Sequence, residues 1–128
     1  MTNLLLDSSI LIDFLRQKQK EHSTFFQLLN KEYTLYVSII THTELYAGKN
    51  SWTDKTAQEE LLTLFSGLEI ISLNEIISKE AGKLKATYDM HLFDSIIAAT
   101  AIVEELQLVT LNIKDFKQVT ALSLYSFK

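Results

Sequence analysis

The residues able to do chemistry in this chain are its acids, and four of them interrupt apolar runs: Asp7 in LLLDSSILID, Glu44 in THTELYAG, Asp94 in LFDSIIAATAIV and Asp115 in TLNIKDF. Asp94 is the most anomalous. Apolar neighbours cover most of its helical circumference, and a carboxylate so placed costs several kcal/mol in desolvation unless a cap, an ion pair or a metal compensates it. No nearby basic residue offers a pair, while a place in the first turn of a helix would give it a cap. Asp7 has the same alternative, since it is as well placed to cap the helix that follows it as to do chemistry. Each acid alone is ordinary. Together they say more, because clustered carboxylates repel and are tolerated chiefly where a cation neutralises them.

The elements that must carry these acids can be read from apolar periodicity. Residues 3–6 are a buried strand ending at Asp7, and Ile10, Leu11, Phe14 and Leu15 then mark a helix for which Ser8 or Ser9 is a natural N-cap. Asp7 thus stands at the carboxyl end of a strand, where open α/β sheets bind ligands. A helix-like cluster follows over residues 22–31, a second strand over 33–38, and a short helix holding Glu44, closed by Gly48, whose freedom at positive φ suits a helix end. Residues 49–55 read as a loose polar segment. A helix over 56–65 turns Leu61, Leu62, Leu64 and Phe65 inward and stops at Gly67; a third strand covers 68–73. Asn74 opens a helix reaching Tyr88 with Ile76, Ile77, Ala81 and Leu84 inward. Residues 92–106 form the most apolar helix, whose Ala98, Ala99 and Ala101 permit close approach to the sheet. A fourth strand over 108–111 and a fifth, on the edge, over 122–125 complete an alternation that implies a parallel sheet covered on both faces.

Composition bounds the remainder. The 128 residues, 47% hydrophobic, suffice for one domain, 1–128. Without cysteine, disulfides, thiolate catalysis and cysteine-ligated zinc are excluded. His22, His42 and His91 lack metal-ligand spacing, and Asp89 and His91 read as surface residues between two helices. No serine triad, P-loop or glycine-rich dinucleotide turn supports another enzyme class. The start lacks a basic leader region and every apolar run is too short or too charged to span a bilayer, so a cytoplasmic protein is expected. A net charge of −4 argues against gripping nucleic acid through bulk charge, although a metal bridging carboxylates to phosphate would reverse the local field. Arg16, Lys18 and Lys20 form a small basic patch best explained as a solvated helix end.

With its motifs in this order, LLLDSSILID, TELYAG, FDSIIAATA and LVTLNIKDF, nearly the whole chain resembles the PIN-domain nucleases, and within them the VapC-type ribonuclease toxins of prokaryotic toxin–antitoxin pairs. The resemblance implies an α/β/α sandwich with a central parallel sheet of four to five strands and an acidic pocket binding Mg2+ or Mn2+. It places Asp7, Glu44 and Asp94 on the three main acidic positions, Ser9 on the small polar position supporting the first acid, and Thr110 on the hydroxyl position near the metal. Asp7 and Asp94 are then the direct ligands, with Glu44 and Asp115 acting through water. The fourth acidic position is where the chain departs from the pattern: Asn112 stands two residues after the threonine, so Asp115 is the favoured occupant, with Asn112 left to orient water or phosphate.

An oxygen-only set of this kind suits a hard cation over zinc. The implied chemistry is hydrolysis of RNA phosphodiester bonds by a metal-dependent endoribonuclease, with a cognate antitoxin and a homodimer as partners. The antitoxin expectation also has a basis in the chain. An acidic pocket suits an inserted arginine, and Ile12, Phe14, Leu15, Phe25, Phe26, Leu28 and Leu29 offer more apolar surface than one sheet face covers. The competing readings are a non-catalytic PIN-like module binding RNA or protein, and a phosphoacceptor receiver. For the receiver, Glu75 and Lys128 are poor substitutes for the acid after the third strand and the lysine after the last.

Overall fold

Alternation along the central strands divides the core into two layers. In β1 (Thr2–Leu6), Leu4 and Leu6 pack into one layer and Leu5 into the other, since successive strand residues point to opposite faces. The computed structural model describes residues 2–127, so Met1 and Lys128, at the ends of the expected domain, lie outside the described residues. β2 (Tyr33–Ser38), β3 (Glu69–Ile71) and β4 (Gln107–Val109) join β1 in a parallel sheet of order β3-β2-β1-β4. β1 lies centrally, with Leu4 opposite Leu35 of β2 and Leu5 opposite Leu108 of β4.

Helices cover both faces, as a parallel sheet with apolar residues on both faces requires. On one side, α1 (Ser8–Arg16), α2 (Thr24–Leu29) and α5 (Lys55–Ser66) contribute Ile10, Leu11, Phe25, Leu28, Leu61, Leu64 and Phe65. On the other, α6 (Glu75–Tyr88), α7 (Leu92–Val103) and α8 (Ile113–Phe116) contribute Ile77, Ala81, Leu84, Ile97 and Phe116. α3 (Ile39–Tyr46) follows β2 directly, and Leu45 anchors it to the first layer. The result is the expected three-layer α/β/α sandwich.

Several local expectations are corrected. Residues 122–125 are not a fifth strand: Leu124 makes one isolated parallel bridge to Leu108, where Leu108 N–H donates to the Ser123 carbonyl and Tyr125 N–H to that of Leu108. The tail touches β4 at one point and leaves it. The polar stretch 49–55 is not loose, because it forms α4 (Asn50–Thr53), held by Ser51 Oγ donating to the Leu45 carbonyl, and Asp54 then caps α5 by accepting from Thr56 N–H at 2.9 Å. Leu62 and Ile76 are 65% and 69% exposed; helical register turns Leu61, Leu64 and Ile77 to the sheet instead. No described glycine takes positive φ, and the left-handed positions are Asp89, which ends α6 at φ 54°, and Glu105, beyond α7 at φ 57°. Asn74 caps α6 as expected, accepting from Ile77 N–H at 2.9 Å. No helix among the described residues is long and apolar enough to cross a membrane.

Candidate active site

Asp7 follows β1 where that strand meets β4, and its own N–H donates to the Val109 carbonyl at 2.9 Å. It occupies the N-cap position of α1, yet its side chain makes no capping bond. The carboxylate instead accepts from Ser9 Oγ at 2.8 Å and Thr110 Oγ1 at 2.7 Å, both on Oδ2. Each hydroxyl is fixed in turn by a backbone amide, Leu111 N–H donating to Ser9 Oγ and Asn112 N–H to Thr110 Oγ1. Asp7 is only 4% exposed, and charge-assisted bonds of this kind are what a buried carboxylate needs. With both donors on Oδ2, Oδ1 is the oxygen left for a ligand.

Neither serine caps α1 as expected. Ser9 serves Asp7, while Ser8 Oγ donates to Glu44 Oε1 at 2.6 Å. A hydroxyl has one proton to give, so in the 3.0 Å contact between Ser8 Oγ and Thr41 Oγ1 the threonine is the donor. A relay from Thr41 through Ser8 thus orients Glu44, all of it set by the tight passage from β2 into α3.

Asp94 lies in the first turn of α7. Ala98, Ala99 and Ala101 are fully buried, so α7 sits close on the sheet and brings its N-terminus to the strand ends. Burial first, then the facing carboxylates Asp7 and Asp115 and, least, Glu44, push the Asp94 carboxyl up to about 6, with His91 opposing them. The four acids therefore share one electrostatic neighbourhood. Three of them, Asp7, Glu44 and Asp94, also line a single cavity of about 450 Å³ with Ser8, Ser9 and Asn112.

The fourth position is divided. Asn112 lines the cavity and spends nothing on capping α8, whereas Asp115, half-buried in the first turn of α8, is outside the lining but acts on Asp94. Among the described residues no three acids or histidines converge into a closed metal cage. The carboxylates border an open cleft instead. That donor set, all oxygen and with Asp7 Oδ1 uncommitted, fits a hard cation held by one or two carboxylates and otherwise by water. His22, Asp89 and His91 are exposed, and His42 packs against the Tyr46 and Phe65 rings at 4.8 and 4.7 Å; none of them lines the acidic cavity.

Sequence reasoning missed Ser8 and Thr41 as supports of Glu44, and Asp13 and Arg16 as further cavity residues. The last two had a signal: Ser9, Asp13 and Arg16 are spaced to share one face of α1. Lys20 behaves as a helix-end cation, donating to the Phe14 and Leu15 carbonyls at 2.6 and 2.9 Å. Arg16 does not.

Residues 4–122 match the family model described as PIN domain. The ribonuclease VapC2 of Rickettsia felis is 30% identical over 126 residues, with 94% of each chain covered. The ribonuclease VapC10 of Mycobacterium tuberculosis is 30% identical over 118 residues, covering 88% of this chain and 85% of its own. Among solved structures, VapBC2 from Rickettsia felis bound to a DNA fragment from their promoter superposes with a TM-score of 0.82 at 27% identity, over 99% of this chain and 100% of that one. A toxin–antitoxin complex from Klebsiella pneumoniae superposes with a TM-score of 0.77 at 26% identity, over 97% and 99%.

Proposed function

This chain belongs to the PIN-domain family, and from that premise we propose that it is a metal-dependent endoribonuclease, the toxin of a VapBC-type toxin–antitoxin pair. The observation that carries the proposal is the convergence of Asp7, Glu44 and Asp94 on one cavity, where burial and the facing acids push the Asp94 carboxyl up to about 6. The ribonuclease names of its relatives, VapC2 and VapC10, support the substrate class.

The cofactor would be Mg2+ or Mn2+, which Asp7 and Asp94 would hold directly and Glu44 and Asp115 through water. Bound there, it would stabilise charge on the scissile phosphate and acidify a water to serve as nucleophile. The protein's own work is positioning. Ser9 and Thr110 hold Asp7 in one orientation, Ser8 holds Glu44, and the Glu44 oxygen not engaged by Ser8 is available to take a proton from the attacking water. Asn112, with no charge to add, orients water or a phosphate oxygen at the cavity wall.

The purified protein should cleave a mixture of structured RNAs in Mg2+ or Mn2+ and lose that activity in the Asp7→Asn variant. Activity at wild-type level in chelator, or in the variant, would overturn the metal-nuclease reading, whereas RNA binding with no cleavage in either metal would favour a non-catalytic PIN-like module.

We further propose a cognate antitoxin and a second copy of this chain as its protein partners, and the cytoplasm as its compartment. Antitoxin binding is supported by the toxin–antitoxin complexes among the structural neighbours. Of the apolar residues first offered for a groove, Phe25 and Leu28 are buried in the core, while Phe26 and Leu29 remain 36% and 50% exposed. Phe14, Leu29 and Leu64 border an open cleft between α2 and α5 suited to an amphipathic helix.

A further inference from the structure

We propose that the acidic cavity continues into a second site, a cleft along the end of α1 that holds the ribose-phosphate backbone of single-stranded RNA through Arg16 and Lys18; this rests on the nuclease reading above. The cleft, about 490 Å³, is lined by Asp13, Arg16, Gln17, Lys18, Gln19 and His22. Asp13 and Arg16 line the acidic cavity as well, so the two spaces share a wall. Arg16 is the sole cation lining the acidic cavity.

The three cations of this region have different fates. Lys20 is occupied, bonded to two carbonyls and paired with Glu60 at 3.8 Å. Arg16 and Lys18 are exposed, and neither forms an ion pair among the described residues. The cleft's one carboxylate, Asp13, takes its side-chain bond from Gln17 Nε2 at 3.1 Å rather than from either cation. A molecule of net charge −4 thus keeps two uncommitted cations beside its carboxylate cavity, where a substrate polyanion must pass. Helix-dipole stabilisation accounts for a cation near the end of α1 but not for one that also walls the acidic cavity.

The span suits the ligand. Ser9 and Arg16 lie seven residues apart on α1, about 10 Å along the axis, the length of about three stacked nucleotides. A strand cut at the acids would run along α1 and place a flanking phosphate at the Arg16 guanidinium, whose planar fork matches phosphate oxygens. Gln17 and Gln19 add neutral donors and acceptors for phosphate or a ribose hydroxyl.

The test compares wild type with the double variant R16Q/K18Q and with R16K, using a mixed-sequence single-stranded RNA long enough to span both cavities and a dinucleotide that fills only the first. Binding is measured by anisotropy in chelator across a salt series, and cleavage in Mn2+. For the longer RNA, R16Q/K18Q should lower the slope of log affinity against log salt by about 1.4, since each phosphate contact to a single strand contributes about 0.7. It should raise KM for that RNA about tenfold, R16K should keep the wild-type slope, and K18Q alone, which alters only the second cleft, should leave dinucleotide cleavage unchanged. An unchanged slope and KM in R16Q/K18Q, with cleavage intact, would overturn the cleft and leave the nuclease standing. RNA binding with the predicted slope change but no cleavage by wild type would refute the nuclease and support the cleft. No RNA binding by wild type would overturn the cleft.

Discussion

At pH 7 the Asp94 carboxylate is ionised in surroundings that favour its proton. Its folded pKa, about 6, lies above the ordinary 3.8, so the folded state binds more protons between those values. Stability from this group is present below about pH 4 and lost as pH rises through 6. Asp94→Asn should therefore stabilise the metal-free protein at pH 7 by about 1 kcal/mol after allowing for solvent screening, a Tm gain of about 4 °C that vanishes below pH 4. A large loss of metal-free stability, read by thermal melts, would instead mean that the acid is a cap. The same variant should abolish cleavage, and in the wild type the proton should compete with the cation, so activity should decline as pH falls below about 6. For the divided fourth position, Asp115→Asn should weaken metal binding more than Asn112→Ala because only the acid carries charge. The reverse order in a metal titration would move that position to Asn112.

At the scale of elements, the site depends on two close approaches. α7 delivers Asp94 because buried alanines let it sit close on the sheet, so Ala98→Leu should cost about 1–3 kcal/mol by overpacking and lower cleavage by displacing Asp94. The β4 end delivers Thr110. Thr110→Val keeps the shape, removes a bond to Asp7 and should cost about 10–100-fold in metal affinity or activity. By contrast, Asn74→Ala, which removes only the cap of α6, should cost about 1 kcal/mol in a denaturant melt and leave cleavage unchanged. Elements with strong local chemistry were legible in the sequence: β2 emerges at residues 33–38 from its aromatic and β-branched run, and α6 from its cap and apolar face. α4 was not, because its polar residues are ordered by contacts such as Ser51 with Leu45 that no local pattern announces. The acids were visible because carboxylates in apolar runs are costly. The roles of Ser8 and Thr41 were hidden because they depend on β2 and α3 lying beside α1, a relation of the fold and not of spacing.

For the whole molecule, cytosolic RNA cleavage would demand restraint. Expression of the chain should arrest growth, co-expression of the small open reading frame beside its gene should relieve the arrest, and Asp7→Asn should abolish it. Equal growth with and without the neighbour, and no co-purification of its product, would defeat the antitoxin proposal. The pairing of β1 with β4 adds something about time. The hydroxyl that helps hold Asp7 comes from Thr110, 103 residues later in the chain, and the strand closing the sheet beside β1 is made after the other three strands. Parallel pairings over such distances form slowly and late. A nascent chain therefore carries its carboxylates without the geometry that would make them cut, and a fragment ending at Leu106 should exchange its β1 amides rapidly and leave RNA intact. The topology acts as a delay, because the site cannot be assembled before β4 and Thr110 have been made.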